Sequence, residues 1–575
     1  MSVSAGRRRG RRLLLSASLA VLVAVAAVVA AGASSAAAAG GFPAKAGSLH
    51  KIYAGRAFGS AAKPAAKPAV KTVPSHSHGK GNGKGAPGAP GLPKGKAQLS
   101  HNFNGLTDAD QAAANGDPLF EVTPPDQGLC VGYDPTVGGE KVVFEPINSA
   151  VRETDVNGNP IRPDFSLAEL FGDPSAEGDV RCFYDTSTHS FYFTEIGFAA
   201  NGDTTIDLAV LDPNFNETVY QIDTYDGQGT ACFGDQPHVG YDANNLYLSI
   251  DEFCGGAPVY PDYLGAVLFV VSKSQVVNEV PSPNMVSFGP LSLDGNPVLT
   301  LEPAIDSAAS TEYLLNSVST DAEGNPLASS NTLGLWQVSG GSNVTTGNFG
   351  AVSLQSTAVT SETYGFPVPA LSTGDGSVTD ETVEGLTLPV TSETALQPDD
   401  DRMLQVIGTG SGNNERIYGA LDTALTPTGD NTVRDGAAWF ELAPTHTNGN
   451  QSPIMKQGYV SSNGAYLLYP AIYPTNSGNV MTFTITSPTL NPSAAYSITG
   501  GNGAFTNIAI ADQGVGPHLS FADSPPFNSS RWGDYSAATL DPNGSTIWMA
   551  TEWIPQVTQP GAPFDNWGTA VFSIH

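Results

Sequence analysis

Asp235-Gln-Pro-His-Val-Gly-Tyr-Asp242 turns at Asn244-Asn245 and returns through Leu246-Tyr-Leu-Ser-Ile-Asp-Glu252. Apolar residues alternate on both sides of an Asp/Asn turn, the pattern of two antiparallel strands joined as a hairpin. An Asp opens the first strand and a Glu closes the second. The same design recurs three times: Asp126-Gln-Gly-Leu-Cys-Val-Gly-Tyr-Asp134 returns through Val143-Phe-Glu145, Asp179-Val-Arg-Cys-Phe-Tyr-Asp185 through Phe193-Thr-Glu195, and Asp534-Tyr-Ser-Ala-Ala-Thr-Leu-Asp541 through Ala550-Thr-Glu552.

Weaker copies lie between. They run from Glu302-Pro-Ala304 to Tyr313-Leu-Leu315, from Asp400-Asp-Arg-Met-Leu404 to Ile417-Tyr-Gly419, and from Gln457-Gly-Tyr-Val460 to Tyr466-Leu-Leu-Tyr469. Many units add a third strand, such as Ala266-Val-Leu-Phe-Val-Val271 or Met481-Thr-Phe-Thr-Ile485. Helical periodicity is nearly absent. Seven hairpin-led units in one all-β chain suit the radial blades of a β-propeller, which leaves only short, protected sheet edges. Six blades is the alternative count, and two β-sandwiches the alternative architecture. The last unit has three strands before the chain ends, so Leu99-Ser-His-Asn-Phe-Asn104 is expected to supply its fourth and close the ring. Residues 343–395 read as a long insertion in the fourth unit.

The repeat also predicts disulfides. Reflection about the turn of the Asp235 hairpin places Cys232 opposite about Cys254, and Cys130 and Cys182 occupy equivalent places in neighbouring first strands. Four cysteines in an exported chain suggest two bridges, and their spacing fits no zinc site.

Export is read from the start of the chain. Arg7–Arg9, Arg11 and Arg12 precede an Ala/Val/Leu run from Leu13 to about Ala33, followed by small residues. This is a secretory signal over residues 1–39; a retained membrane anchor is the alternative. Residues 40–98, rich in Ala, Pro, Lys and Gly, have too little apolar surface to offset the entropy of ordering and read as a disordered linker. Residues 99–575 are the propeller domain, and no second apolar run is long enough to span a membrane.

The first hundred residues hold 15 of the 25 Lys and Arg and no Asp or Glu, so the body carries 10 basic and 55 acidic residues, a net charge of −45. Such a surface repels phosphate backbones and excludes nucleic acid as a partner. The basic tail suits anionic cell-wall polymer or a solvated spacer.

The segments Pro124-Pro-Asp-Gln-Gly-Leu-Cys130, Cys182-Phe-Tyr-Asp185, Cys232-Phe-Gly-Asp-Gln-Pro237, Asp400-Asp-Arg-Met403, Gln457-Gly-Tyr459 and Arg531-Trp-Gly-Asp-Tyr-Ser536 resemble, in order over about residues 99–575, a group of secreted bacterial propeller proteins. The resemblance implies a sialidase-like propeller and an extracellular location, but no reaction, because the group has none assigned. The sialidase Ser-x-Asp-x-Gly-x-x-Trp box is absent from this chain.

No nucleophile-elbow, zinc-protease or phosphate-loop motif occurs. Asp155-Val-Asn-Gly-Asn-Pro160 and Asp321-Ala-Glu-Gly-Asn-Pro326 are calcium-like in composition but read as hairpin turns. The candidate site is the set of opening and closing acids. Asp126 with Glu145, Asp179 with Glu195, Asp235 with Glu252 and Asp534 with Glu552 are expected to meet in pairs near the axis, forming an acidic arc. Crowded carboxylates need a cation, an arginine or backbone donors. Calcium suits them, Arg181, Arg402 and Arg531 stand beside opening acids, and Trp532 and Trp553 offer stacking faces for a sugar. The expected role is binding of an extracellular glycan or polymer. The alternatives are glycoside hydrolysis by paired carboxylates and strand-end capping, in which each Asp accepts backbone N–H groups. His238 reads as a packed histidine.

Overall fold

The computed structural model describes residues 42–57 and 99–575, apart from 177, 199–202, 225–231, 256–261, 306–308, 323, 384–385, 448–451, 476–477, 501–502, 522, 525–528 and 556–564. The signal segment and most of the linker lie outside the described residues. The chain is all-β. Seven antiparallel sheets of four or five strands follow one another in chain order. Their first strands are Cys130–Asp134, Gly178–Asp185, Cys232–Tyr241, Glu302–Pro303, Gln405–Thr409, Tyr466–Thr475 and Ala537–Leu540.

Each first strand touches the first strand of the next sheet, and the seventh touches the first. They run side by side in the same sense, as the parallel bridges Tyr241–Ile305 and Ile305–Ile407 record. A separate apolar cluster fills each of the seven gaps between neighbouring sheets, including the last, where Trp548 and Val571 of sheet seven meet Val131 and Val143 of sheet one. The alternating residues of each strand therefore feed two different cores, which explains why both faces read as apolar. Leu99–Thr107 pairs with Gly568–Ile574 as the fourth strand of sheet seven.

Both disulfides form as expected. Cys232 and Cys254 are register partners within sheet three, and Cys130–Cys182 joins the first strands of sheets one and two with a Cα separation of 5.6 Å. The two calcium-like loops are hairpin turns: Asp155 accepts from the Asn157 and Asn159 N–H groups, and Gly158 and Gly324 both have φ of 80°.

Three expectations need correction. Within the presumed linker, Lys45–Ser48 adds a fifth strand to sheet three and His50–Ala57 to sheet two. Leu49 between them is fully buried. Open edges of both sheets accept these strands despite the Ala/Pro/Lys composition around them. Second, Ile454–Val460 is the outer strand of sheet five, and sheet six starts at Tyr466. Asn463-Gly464 therefore turns a crossover rather than a hairpin. Third, Ser353–Gly365 is the outer strand of sheet four, so the insertion is confined to about 366–400. There, Ala370–Leu371 and Leu386–Ser392 build small sheets with segments 519–530.

Candidate functional site

Each sheet carries one residue in left-handed backbone conformation at or near the start of its first strand. They are Asp126, Asp179, Gln236, Thr300, Asp399, Tyr469 and Gly533, with φ of 46°, 53°, 49°, 50°, 57°, 56° and 132°. For residues other than glycine this conformation costs about 1–3 kcal/mol each, and it persists because buried acceptors hold the backbone. Asp251 accepts from both the N–H and the hydroxyl of Thr300, Asp422 from the Tyr469 N–H, and Asn148 from the Asp179 N–H at 2.8 Å. The kinks turn the chain inward, and charged side chains from five sheets meet on the axis.

Asp126, Asp179 and Asp534 form the centre, with one carboxylate oxygen of each within 4.8 Å of the others. Asp126 accepts from the Asp534 N–H at 2.7 Å and from Asn148 at 2.6 Å. Arg531 donates to both oxygens of Asp534, and Gln236 donates to Asp534 at 3.2 Å. Arg402 forms a two-pronged pair with Asp400 at 2.8 and 2.6 Å and a further pair with Asp399 at 2.9 Å, and donates to the Gln236 side-chain Oε1. Burial, then the charges of Asp534 and Asp179, push the Asp126 carboxyl well above the usual range. Burial and Asp534 lift Asp179 to about 6. Asp235 is raised by burial and by Asp179, and Asp399 is raised to about 6, chiefly by burial. Asp235, Asp399, Asp400, Arg402 and Arg531 are half-buried, whereas Asp126, Asp179 and Asp534 are buried.

The expected acid pairs are only partly realised. Glu552 is 2 % exposed and faces Asp126 and Asp534, which with burial raise its carboxyl well above the usual range. Glu145 turns away from Asp126 and accepts from the Leu106 N–H at 2.9 Å, tying the closing strand to sheet one. Glu252 lies opposite Gly234, one step out of register, and Asp235 is paired with Asp251 instead. Glu195 lies opposite Asp207 within sheet two. The tryptophans offer no stacking face: Trp532 (1 % exposed) donates to Thr484, and Trp553 (7 %) to the Thr569 carbonyl. Gln236, Asp251, Asp399, Glu302 and Tyr535 belong to the constellation without having been anticipated. Gln236, Asp251, Asp399 and Tyr535 each adjoin an acid that opens or closes a unit, and Glu302 itself opens a weaker copy.

Arg181 leaves the acidic group. Its guanidinium lies over the Tyr535 ring, 3.5 Å from the centroid, and one terminal nitrogen is 3.2 Å from His238 Nδ1. His238 Nδ1 also lies 2.5 Å from Glu302, so this histidine is packed, as expected, but within a polar relay. Beyond Arg181 a cavity of about 440 Å³ follows the axis, lined by residues from all seven sheets. Arg181, Glu302 and Gln405 lie at its inner end, and Tyr184 and Tyr241 form walls. Thr186, Gly410, Leu540 and Gly544 lie at the exposed outer end, where the first strands turn. Arg181 Nε has no hydrogen-bond partner within the protein.

No known family's sequence model matches the chain, and no curated protein matches it. Solved structures similar to it include a subtype N10 neuraminidase-like protein from a little yellow-shouldered bat isolate (8% identity, TM-score 0.29, covering 65% of this chain and 94% of that one). A sialidase from Trypanosoma rangeli in complex with 2,3-difluorosialic acid matches at 11% identity and TM-score 0.27, over 67% of this chain and 52% of that one. The catalytic domain of a GH62 α-L-arabinofuranosidase from Coprinopsis cinerea matches at 9% identity and TM-score 0.25, over 59% and 90%. At these scores the fold and chemistry rest on this chain's own residues. Among the described residues, no helix is long and apolar enough to cross a membrane.

Proposed function

We propose that the ring of sheets is a seven-bladed β-propeller acting outside the cell as a carbohydrate-binding module, with the ligand held in the axial cavity against Arg181. The observation carrying this reading is the cavity itself. Its volume falls within the range of small-molecule sites. Its inner end is lined by the Arg181 guanidinium and Glu302, and the edges of Tyr184 and Tyr241 line it further out. A sugar's hydroxyls suit the charged and polar lining that Arg181, Glu302 and Gln405 give this cavity. The two disulfides and the basic, then apolar, start of the chain support an extracellular setting. A cell-surface glycan or wall polymer is the proposed partner.

The test is a glycan and polysaccharide binding screen with the purified protein, repeated with Arg181→Met. The reading expects a saturable ligand whose affinity falls about tenfold or more in the variant, the scale of losing a charged hydrogen bond. Ligand binding that ignores Arg181, or a screen with no ligand, would overturn it.

Hydrolysis of the same ligand is the second reading, favoured by Glu302 at the inner end against His238. It is weaker because Asp541, the other carboxylate lining the cavity, is held by Lys141 and by Trp548. Most of the acidic centre lies buried beyond Tyr535. Turnover on a glycan panel that disappears in Glu302→Gln with binding retained would establish hydrolysis.

A further inference from the structure

We propose that Asp126, Asp179 and Asp534, with Glu552 beside them, hold a hard divalent cation, Ca²⁺ in the first instance, at the point where sheets one, two and seven meet. This site is separate from the axial cavity and stands or falls independently of the carbohydrate reading.

Three observations carry it. The oxygens of Asp126, Asp179 and Asp534 lie within 4.8 Å of one another. Ca²⁺–oxygen distances are about 2.3–2.6 Å, so two oxygens on one ion are at most about 5 Å apart. Second, Glu552 is buried, and neither of its oxygens has a hydrogen-bond partner. It faces the centre: Asp126 and Asp534 are the charges that raise its carboxyl most after burial, and a side-chain carbon on Gly533, next to Asp534, would collide with its Oε1. An unpartnered buried carboxylate is costly, and a metal ion is one of the few things that compensates it. Third, the charge does not balance. Among the described residues Arg531 is the cation hydrogen-bonded to this group, through Asp534, while Arg402 is paired with Asp399 and Asp400 and Arg181 lies over Tyr535. Four carboxylates against one guanidinium leave a deficit that a divalent ion largely removes.

The other set of close ligand atoms, Cys232, Glu252 and Cys254, is a different case. Both sulfurs are joined in a disulfide and are not thiolates.

The experiment uses the whole protein, stripped with chelator and dialysed at pH 7.5. Ca²⁺ and Mg²⁺ are titrated by calorimetry, and Tb³⁺ by luminescence excited through the buried Tyr535 and Trp532. The expected result is one ion per chain, a melting temperature raised by Ca²⁺, and sensitised Tb³⁺ emission displaced by Ca²⁺. Glu552→Gln and Asp126→Asn are each expected to weaken binding roughly 10–100-fold, at least the loss seen when outer partners of a metal site are removed. Equal melting temperatures with chelator and with excess Ca²⁺, together with no Tb³⁺ signal, would overturn the proposal and mean that protons hold the acids instead. Ion binding unchanged in both variants would also overturn it. If either variant fails to fold, the position of Tb³⁺ by anomalous scattering in crystals of the unmodified protein decides the matter.

Discussion

The Arg181 guanidinium rests on the face of Tyr535 at 3.5 Å, and the Tyr535 hydroxyl points at Asp179 from 3.5 Å. One aromatic ring thus separates two environments along the axis. On one side is a cavity with a cationic inner end, and on the other a knot of carboxylates. A cation over a buried ring is stabilised by about 2 kcal/mol or more. The ring also stands between the guanidinium and Asp179, so Arg181 remains a lining residue of the cavity instead of joining the acidic centre.

Tyr535→Leu should therefore do two things. It should lower stability by about 2–4 kcal/mol in urea unfolding, through the lost stack and the cavity left behind. It should also weaken ligand binding in the axial cavity, although Tyr535 does not line it. Tyr535→Phe keeps the face and should preserve both properties to within about 1 kcal/mol. Equal losses in the two variants would show that the hydroxyl, and not the stack, matters.

The two disulfides close chain segments of different length, with separations of 52 residues for Cys130–Cys182 and 22 for Cys232–Cys254. In the chain-entropy account, replacing both cysteines by serine should cost about 4 kcal/mol for the first bridge and about 3 kcal/mol for the second. The first ties two sheets together, whereas the second only staples a hairpin already in register. Unfolding of the two double variants under oxidising conditions measures the order, and a larger loss at Cys232–Cys254 would contradict it.

The repeat was legible because each hairpin advertises itself locally, through an opening Asp, alternating apolar residues and an Asp/Asn turn. Reflection about the Asp235 turn was enough to place Cys232 against Cys254. The left-handed residue that recurs in every sheet was not legible. Its identity changes from Asp to Gln, Thr, Tyr and Gly, because what is shared is a backbone conformation held by distant acceptors such as Asp251 and Asp422. The misplacement of Glu252 has a similar origin. A shift between Asp235 and His238 moves the register, and a single step sends a side chain to the other face. Arg181 was singled out as a partner for acids. Its turn toward Tyr535 and His238 depends on residues about 350 positions later and 57 later in the chain, beyond the reach of local pattern.

Leu99–Thr107 completes sheet seven from the opposite end of the chain. Removing it would leave the edge of Gly568–Ile574 unpaired and uncover Trp548, against which His101 stacks at 5.1 Å. A chain beginning at residue 99 loses the added fifth strands Lys45–Ser48 and His50–Ala57 and the Phe42 contact with Leu354 and Trp336, and should fold with a lowered melting temperature. A chain beginning at 108 should fail to give a cooperative transition and should aggregate through the open edge. Circular dichroism melts and size-exclusion profiles distinguish the two. A monomeric, cooperatively melting chain from 108 would show that closure by this strand is dispensable.

The buried acids make stability depend on pH in an unusual direction. Burial lifts Asp179 and Asp399 to about 6 and Glu145, Asp401 and Asp565 to about 7, and raises Asp126, Asp235 and Glu552 as well. In the unfolded chain these groups titrate near 4. A folded value above the unfolded one means that the native state holds protons the unfolded state has released. For Asp179, Asp399, Glu145, Asp401 and Asp565 the resulting stability is complete below about 4 and is lost as pH rises through 6 to 7. His518, lowered to about 3 by burial, works against this trend between about 3 and 6.5, but it is one group against eight. Acids whose values are depressed, such as Asp185 beside Lys273, lose their contribution only below the ordinary carboxylate range and do not act in this window. In chelator, the melting temperature should therefore be higher at pH 5 than at pH 8. Added Ca²⁺ should narrow the gap by stabilising the pH 8 state, because an ion replaces the protons at Asp126, Asp179 and Glu552. A melting temperature that is flat or rises from pH 5 to 8 in chelator would mean that these carboxylates are ionised and compensated by protein groups alone.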